Sequence, residues 1–139
     1  MTKVRFDPNE PLLIFGCMVE YHSRAFLDLA LDTGASSTII SEKIAQEIGY
    51  DLSRVSKQTT FSDASQTHLV SEVTLKSLSL ATARVENIKV LCYTMREEHG
   101  IDGVIGLNFI RQFKIVMDFE TGILTLDPIQ SQPQTHEQK

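Results

Sequence analysis

The chain predicts a mainly β domain, and three observations carry that prediction. Residues 25–32 alternate side chains with the period of a strand. Residues 57–93 are rich in Thr, Val, Leu and Ile with short polar breaks. Residues 115–119 and 123–126 flank Glu120, Thr121 and Gly122 in the manner of a hairpin. A single domain accommodates all of this, because 139 residues lie within the roughly 100 to 150 common for one core. Hydrophobic residues at 42% and charged residues at 22% give the chain enough apolar surface to bury, so folding is expected rather than disorder.

Taken in order, residues 1–10 are polar, and Pro8 and Pro11 bracket the approach to a first apolar run, 12–19, which reads as a strand. After a turn at 21–23, Ala25, Leu27, Leu29 and Leu31 fall on one face and Phe26, Asp28, Ala30 and Asp32 on the other. Asp32 therefore ends a half-buried strand and points away from its apolar stripe. Thr33, Gly34 and Ala35 break the pattern, and residues 38–40 resume it. Ser41 suits the N-cap of a short helix with Glu42 in its first turn. Ile44, Ala45 and Ile48 share a face of that helix, and Gly49 suits the position just past its end.

Between 57 and 93, breaks at 62–66 and 81–83 imply at least three strands joined by hairpin turns. Residues 94–102 read as a charged loop without a role, and 104–113 combine a strand end, Gly106 and one or two helical turns. Beyond Ile129 the sequence QSQPQTHEQK has no aliphatic or aromatic residue to anchor it. The domain is thus expected to span 1–129, followed by a disordered tail at 130–139.

Lys and Arg number 13 against 18 Asp and Glu, a formal net charge of -5, which opposes the counterion release that drives nucleic-acid binding. No apolar run approaches the roughly 20 residues of a membrane helix. The N-terminus MTKVRFDPNEP also lacks the apolar stretch of a secretion signal, so a cytoplasmic protein with no membrane segment is expected. Cys17 and Cys92 sit in apolar runs at a spacing that matches no zinc or redox motif, and read as buried free thiols. The histidines at 22, 68, 99 and 136 offer no metal-ligand spacing beyond Glu97-Glu98-His99, which reads as a solvated loop; no metal or other cofactor is expected. Ser36 and Ser37 lack the G-x-S-x-G context of a nucleophile and read as hydroxyls supporting a turn.

Asp32-Thr33-Gly34 is a short motif that average residue usage would produce by chance in about a few per cent of chains this long. Its setting adds weight: the carboxylate closes an apolar strand, and glycine follows where the backbone must turn sharply. The segment LALDTGASSTIIS, residues 29–41, resembles the active-site segment of retropepsin-like aspartic proteases. Downstream, DGVIGLNFI at 102–110 resembles that family's aliphatic-aliphatic-Gly motif, here Val104, Ile105 and Gly106, and FKIVMDFETGILTL at 113–126 is similar to bacterial members of the clan. The resemblance covers roughly residues 12–127.

What the resemblance implies is a closed, mainly antiparallel, barrel-like β domain of the acid protease type, with one or two short helices and a flap over the active site. Pepsin-like chains carry two D-[ST]-G motifs; this one carries a single copy, so the second aspartate must come from a second chain in a homodimer. Asp32 is the implied catalytic residue of an aspartic endopeptidase acting on polypeptides, without metal or covalent intermediate. Thr33 is implied to reach across the two-fold axis, Gly34 to admit substrate backbone, and Ala35, Val104, Ile105 and Gly106 to support the loop. Family members with Ser or Thr at the place of Ala35 can hydrogen-bond the carboxylate and favour its charged form; Ala35 implies activity from mildly acidic to near-neutral pH.

Ser36 stands where many retroviral members carry an acidic residue that holds peptide backbone. The flap falls, by elimination, on the hairpin between 57 and 73, with Ser62, Asp63, Ala64 and Ser65 at a tip that contains no glycine. Phe61 and Leu69 flank it and either contact apolar substrate side chains or pack the hairpin. A rival reading keeps the fold and drops the chemistry: a dimerisation or protein-binding module. The dimer contact is left open between residues 124–129, the N-terminal run and another surface.

Overall fold

Alternation builds the wall of the fold. In the computed structural model, which describes residues 1–96 and 100–129, strand β3 (Arg24–Leu31) buries Leu27 and Leu29 and exposes Phe26 and Asp28, as its two-residue period requires. It pairs antiparallel with β2 (Ile14–Glu20), from Ile14↔Ala30 to Glu20↔Arg24. The further strands are β1 (Thr2–Arg5), β4 (Thr38–Ile40), β5 (Gln58–Ser62), β6 (Thr67–Leu80), β7 (Ala83–Cys92), β8 (Gly103–Ile105), β9 (Phe113–Asp118) and β10 (Ile123–Pro128). Two short helices, α1 (Glu42–Glu47) and α2 (Leu107–Ile110), complete the fold with a 3-10 turn at Leu52–Arg54.

The larger sheet runs β2-β3-β8-β4-β7-β6-β5. A second pairing of β2 with β6, Met18↔Ser79 to Glu20↔Ser77, closes its first six strands into a barrel. The long β6 leaves the ring at its N-terminal end, where Thr67 to Ser71 pair only with β5 up to the shared Ser71↔Cys92 position. That projecting hairpin occupies the stretch 57–73 on which the flap is expected. The chain therefore has the mainly β composition that the sequence predicts and the barrel-like closure that the resemblance implies. Two of its contacts, β3 with β8 and β4 with β7, are parallel.

Inside the barrel, Leu29, Ile40, Leu75, Leu78, Val90 and Ile105 are fully or almost fully buried, and Phe109, Leu124 and Leu126 continue this core towards the smaller sheet. Ser41 caps α1 as expected, its Oγ accepting from Ile44 N at 3.1 Å, and Gly49 follows at φ 124, a left-handed conformation that favours glycine. Cys17 and Cys92 are buried and unpaired. Burial pushes both thiols up to about 12, which removes the thiolate needed for reactivity.

One segment departs from expectation. Residues 2–5, within the stretch read only as a polar approach, form β1, which pairs with β10 (Thr2↔Leu126 to Arg5↔Ile123) in a smaller sheet ordered β1-β10-β9. The partner lies at the far end of the sequence, and Thr2 and Val4 supply the inward face. Among the described residues no helix is long and apolar enough to cross a membrane. The expected tail, 130–139, lies outside the described residues.

Candidate active site

Asp32 stands just past the end of β3, at a point where three chain segments are locked together. β8 runs parallel to β3, with Leu29↔Gly103, Ala30↔Val104 and Leu31↔Ile105, and the Asp32 amide continues the ladder by donating to Ile105 O at 3.0 Å. On its other side β8 pairs antiparallel with β4, Ile39↔Val104 and Ile40↔Gly103. The strands before and after the Asp32 loop thus clasp β8 between them. Gly103 and Gly106 permit this by lacking a side chain. A Cβ on Gly103 would sit 1.9 Å from Ile39 O, and one on Gly106 2.4 Å from the carbonyl carbon of Ser37.

Within the loop, Gly34 N donates to Asp32 Oδ1 at 2.8 Å and Ala35 N to Asp32 O at 3.2 Å. Ala35 O in turn accepts from Leu107 N at 2.8 Å, which fastens the loop to α2. Asp32, Thr33, Gly34 and Ser36 are exposed and Ala35 half-buried. The carboxylate is therefore held by local backbone and open to whatever approaches. Of the expected supports, Ile105 is fully buried in the main core and acts through its carbonyl, whereas Val104 faces the opposite side.

Sequence reasoning missed a buried strut under this loop. Thr38, fully buried, donates its hydroxyl to Asn108 Oδ1 at 2.8 Å and accepts Gly106 N at 3.0 Å, while Thr38 N also donates to Asn108 Oδ1 at 2.9 Å. Asn108 Nδ2 then donates to Lys89 O at 2.7 Å. Two side chains thereby join β4, β8, α2 and β7. In the sequence, the only signal was a polar residue at the start of one apolar segment, Thr38, and one inside another, Asn108.

Also missed was an apolar row beside the carboxylate. Ala30, two residues before Asp32 and on the same side of β3, is in register with Val104, Val104 with Ile39, and Ile39 with Leu91. These four residues and Val70 form a second apolar cluster, separate from the barrel core, against which Ala35, Phe61, Tyr93, Met95 and Ile101 pack. Met95 and Ile101, from the stretch 94–102 expected to be a charged loop without a role, therefore join this surface. Its residues Glu97, Glu98 and His99 lie outside the described ones. Among the described residues no three His, Cys, Asp or Glu side chains gather to hold a metal ion.

The flap tip forms without glycine because Asp63 organises it. Its Oδ1 accepts from Ser65 N, Ser65 Oγ and Gln66 N at 2.8, 2.9 and 2.9 Å, and its backbone N donates to Gln66 O at 3.0 Å. No residue of the tip has a positive φ, so glycine's freedom is not needed there. These bonds, aided by one from His68, lower the Asp63 carboxyl well below the usual range, the Gln66 amide contributing most. Ser62 Oγ meets Thr67 Oγ1 at 2.9 Å, and Ala64 is exposed. Of the two flanking side chains, Phe61 packs on the apolar row while Leu69 is 69% exposed.

An aspartyl protease family profile matches residues 18–109. Among solved structures, the fold is similar to the crystal structure of a retropepsin-like aspartic protease from Rickettsia conorii. The TM-score is 0.69 at 22% identity, over 90% of this chain and 89% of that one. No curated protein matches the sequence.

Proposed function

Since this chain belongs to the aspartyl protease family, we propose that it is an aspartic endopeptidase, formed when two copies bring their Asp32 carboxylates together. The observation that carries the reading is the exposed Asp32, fixed by Gly34 N–H and Ile105 O at the end of an apolar row. The sequence holds a single D-T-G, so the second carboxylate comes from the twin chain. Two carboxylates about 3 Å apart share one proton, because both cannot readily ionise. The ionised one takes a proton from a bound water as that water attacks the peptide carbonyl, and the protonated one donates to the carbonyl oxygen.

The residues around the carboxylate take roles to match. Thr33, exposed at the loop tip, pairs with the partner's loop across the axis, and Gly34 leaves room for substrate backbone. Ser36 offers a hydroxyl where an acidic residue would otherwise hold the peptide. The row Ala30, Val104, Ile39 and Leu91 accepts apolar substrate side chains next to the scissile bond, with Phe61 closing it from the flap. Ser62, Asp63 and Ala64 contact the peptide through tip backbone, since both Asp63 carboxylate oxygens are engaged inside the hairpin. The catalytic domain is residues 1–129.

The test is incubation with unstructured peptides from pH 3 to 8 beside Asp32→Asn, reading new termini by mass spectrometry. Cleavage between mildly acidic and near-neutral pH is expected, and Asp32→Asn loses at least about 10² to 10⁴-fold, the usual weight of a general acid–base group. A folded wild-type dimer that cuts nothing turns the reading to a binding module.

A further inference from the structure

Building on the protease reading, we propose that His68 is a positioning residue of the flap: it ties the tip turn to Tyr93 at the end of β7 and so holds the hairpin over the substrate row. His68 Nε2 lies 2.8 Å from Asp63 Oδ2. An ionised carboxylate only accepts hydrogen bonds, so the nitrogen carries the proton and donates. The Tyr93 hydroxyl oxygen stands 3.4 Å from the same nitrogen as a second, weaker partner. The imidazole also sits between two rings, 6.0 Å from Phe61 and 4.8 Å from Tyr93 between centroids, and those two rings are themselves 5.1 Å apart.

These contacts link the projecting end of the β5–β6 hairpin to Tyr93, beyond the last β6–β7 register pair, Ser71↔Cys92. Asp63 is the residue whose other oxygen builds the tip. Phe61 and Tyr93 pack on the cluster that contains Ala30 and Ala35, next to Asp32. His68 touches the tip, the flap arm and the end of β7. The titratable groups around it are Asp63 and Tyr93, with Glu42 of α1 and Cys92 of β7 lining with it a cavity of about 420 Å³ behind the flap. Burial pushes the Cys92 thiol up to about 12, so it stays uncharged, and Glu42 accepts a bond from Thr94 at 3.0 Å. The Asp63 carboxylate, held in its charged form, makes its bond from His68 a charge-assisted one, which is the stronger kind.

The experiment compares the whole chain with His68→Phe, which keeps a ring between Phe61 and Tyr93 but loses the donor, and His68→Gln, which keeps a donor without the charge. Hydrogen–deuterium exchange of peptides covering 59–70 is read for all three proteins at one pH. Peptidase kinetics are run in parallel. His68→Phe is expected to exchange about three- to tenfold faster than the wild type, and His68→Gln to recover most of the protection. KM should rise by a similar factor in His68→Phe while kcat changes less than about twofold.

Wild-type exchange and KM in His68→Phe overturn the latch. So does faster exchange that extends equally to β3 and β8, because His68 would then support the whole fold. Exchange reads the flap without chemistry. The expected exchange pattern in a chain that cleaves nothing would sink the protease reading and leave the latch standing.

Discussion

Thr38 carries more of the site than its place in a three-residue strand suggests. Its hydroxyl both gives and takes a hydrogen bond in a fully buried position, and Gly106 N has that oxygen as its acceptor. Thr38→Val keeps the shape and leaves a buried N–H without a partner, which costs about 1 to 3 kcal/mol. Urea unfolding should report that loss, and peptidase activity should fall with it because Gly106 and Asp32 share one ladder; an unchanged midpoint would end the idea of a strut. A second residue-level effect is acid sensitivity. Asp118 is held below the usual carboxylate range, chiefly by Thr121 N–H and then Glu120 N–H in the β9–β10 turn. Its folded value is depressed, so its stabilisation is present above the unfolded value of about 3.9 and is lost as pH falls below it. The thermal midpoint of the wild type should therefore be flat from pH 7 to 5 and drop below about pH 4. Asp118→Asn should start lower and drop less; parallel curves would show that the turn carboxylate contributes nothing. Asp32 was legible in the sequence because its neighbours in the chain are its structural neighbours. The Thr38–Asn108 pair was not, since its members stand 70 residues apart and neither has local context.

Among the elements, β8 is the critical one although it is only three residues long. It sits between β3 and β4 and fixes the ends of the Asp32 loop from both sides. Gly103→Ala would drive a Cβ to 1.9 Å from Ile39 O, a collision with backbone that only separation of β4 from β8 can relieve. We expect soluble yield to collapse or unfolding free energy to fall by more than about 3 kcal/mol, at the upper end of what overpacking costs. Circular dichroism melting decides it, and a variant with the wild-type midpoint would mean that the clasp is not tight. The β9–β10 hairpin could be read from two apolar runs around a polar turn and β5–β6 from a β-rich stretch broken at 62–66, because in each both strands and the turn are contiguous. The parallel contacts of β3 with β8 and β4 with β7, and the β1–β10 pairing, join segments distant along the chain. No local pattern encodes a partner, and for β1 the polar residues of its outer face masked the inward Thr2 and Val4.

At the scale of the whole molecule, the proposed reaction takes two chains, because each would supply half of the catalytic apparatus. One exposed carboxylate beside one apolar row lacks the second acid that the reaction needs, so the proposed activity belongs to a pair and should follow the rules of pairing. Activity per chain should rise with concentration until all chains are paired, which dilution kinetics would trace alongside sedimentation. Mixing subunits is the sharper measurement. Asp32→Asn is close to isosteric and should pair as the wild type does, but a mixed dimer has only one ionisable carboxylate at the axis and is inactive. If chains exchange freely and pair at random, adding an equal amount of Asp32→Asn to a fixed amount of fully paired wild type should leave about half the activity, and a threefold excess about a quarter. A protease working as a monomer would lose nothing under the same treatment, because its active chains would still be present in full. The variant supplies no chemistry of its own, so any loss beyond simple competition for substrate, checked by raising the substrate concentration, must come from its occupying the partner's place. Activity unchanged by the variant, in protein shown to be dimeric and exchanging, would mean that the Asp32 residues do not face each other in that dimer.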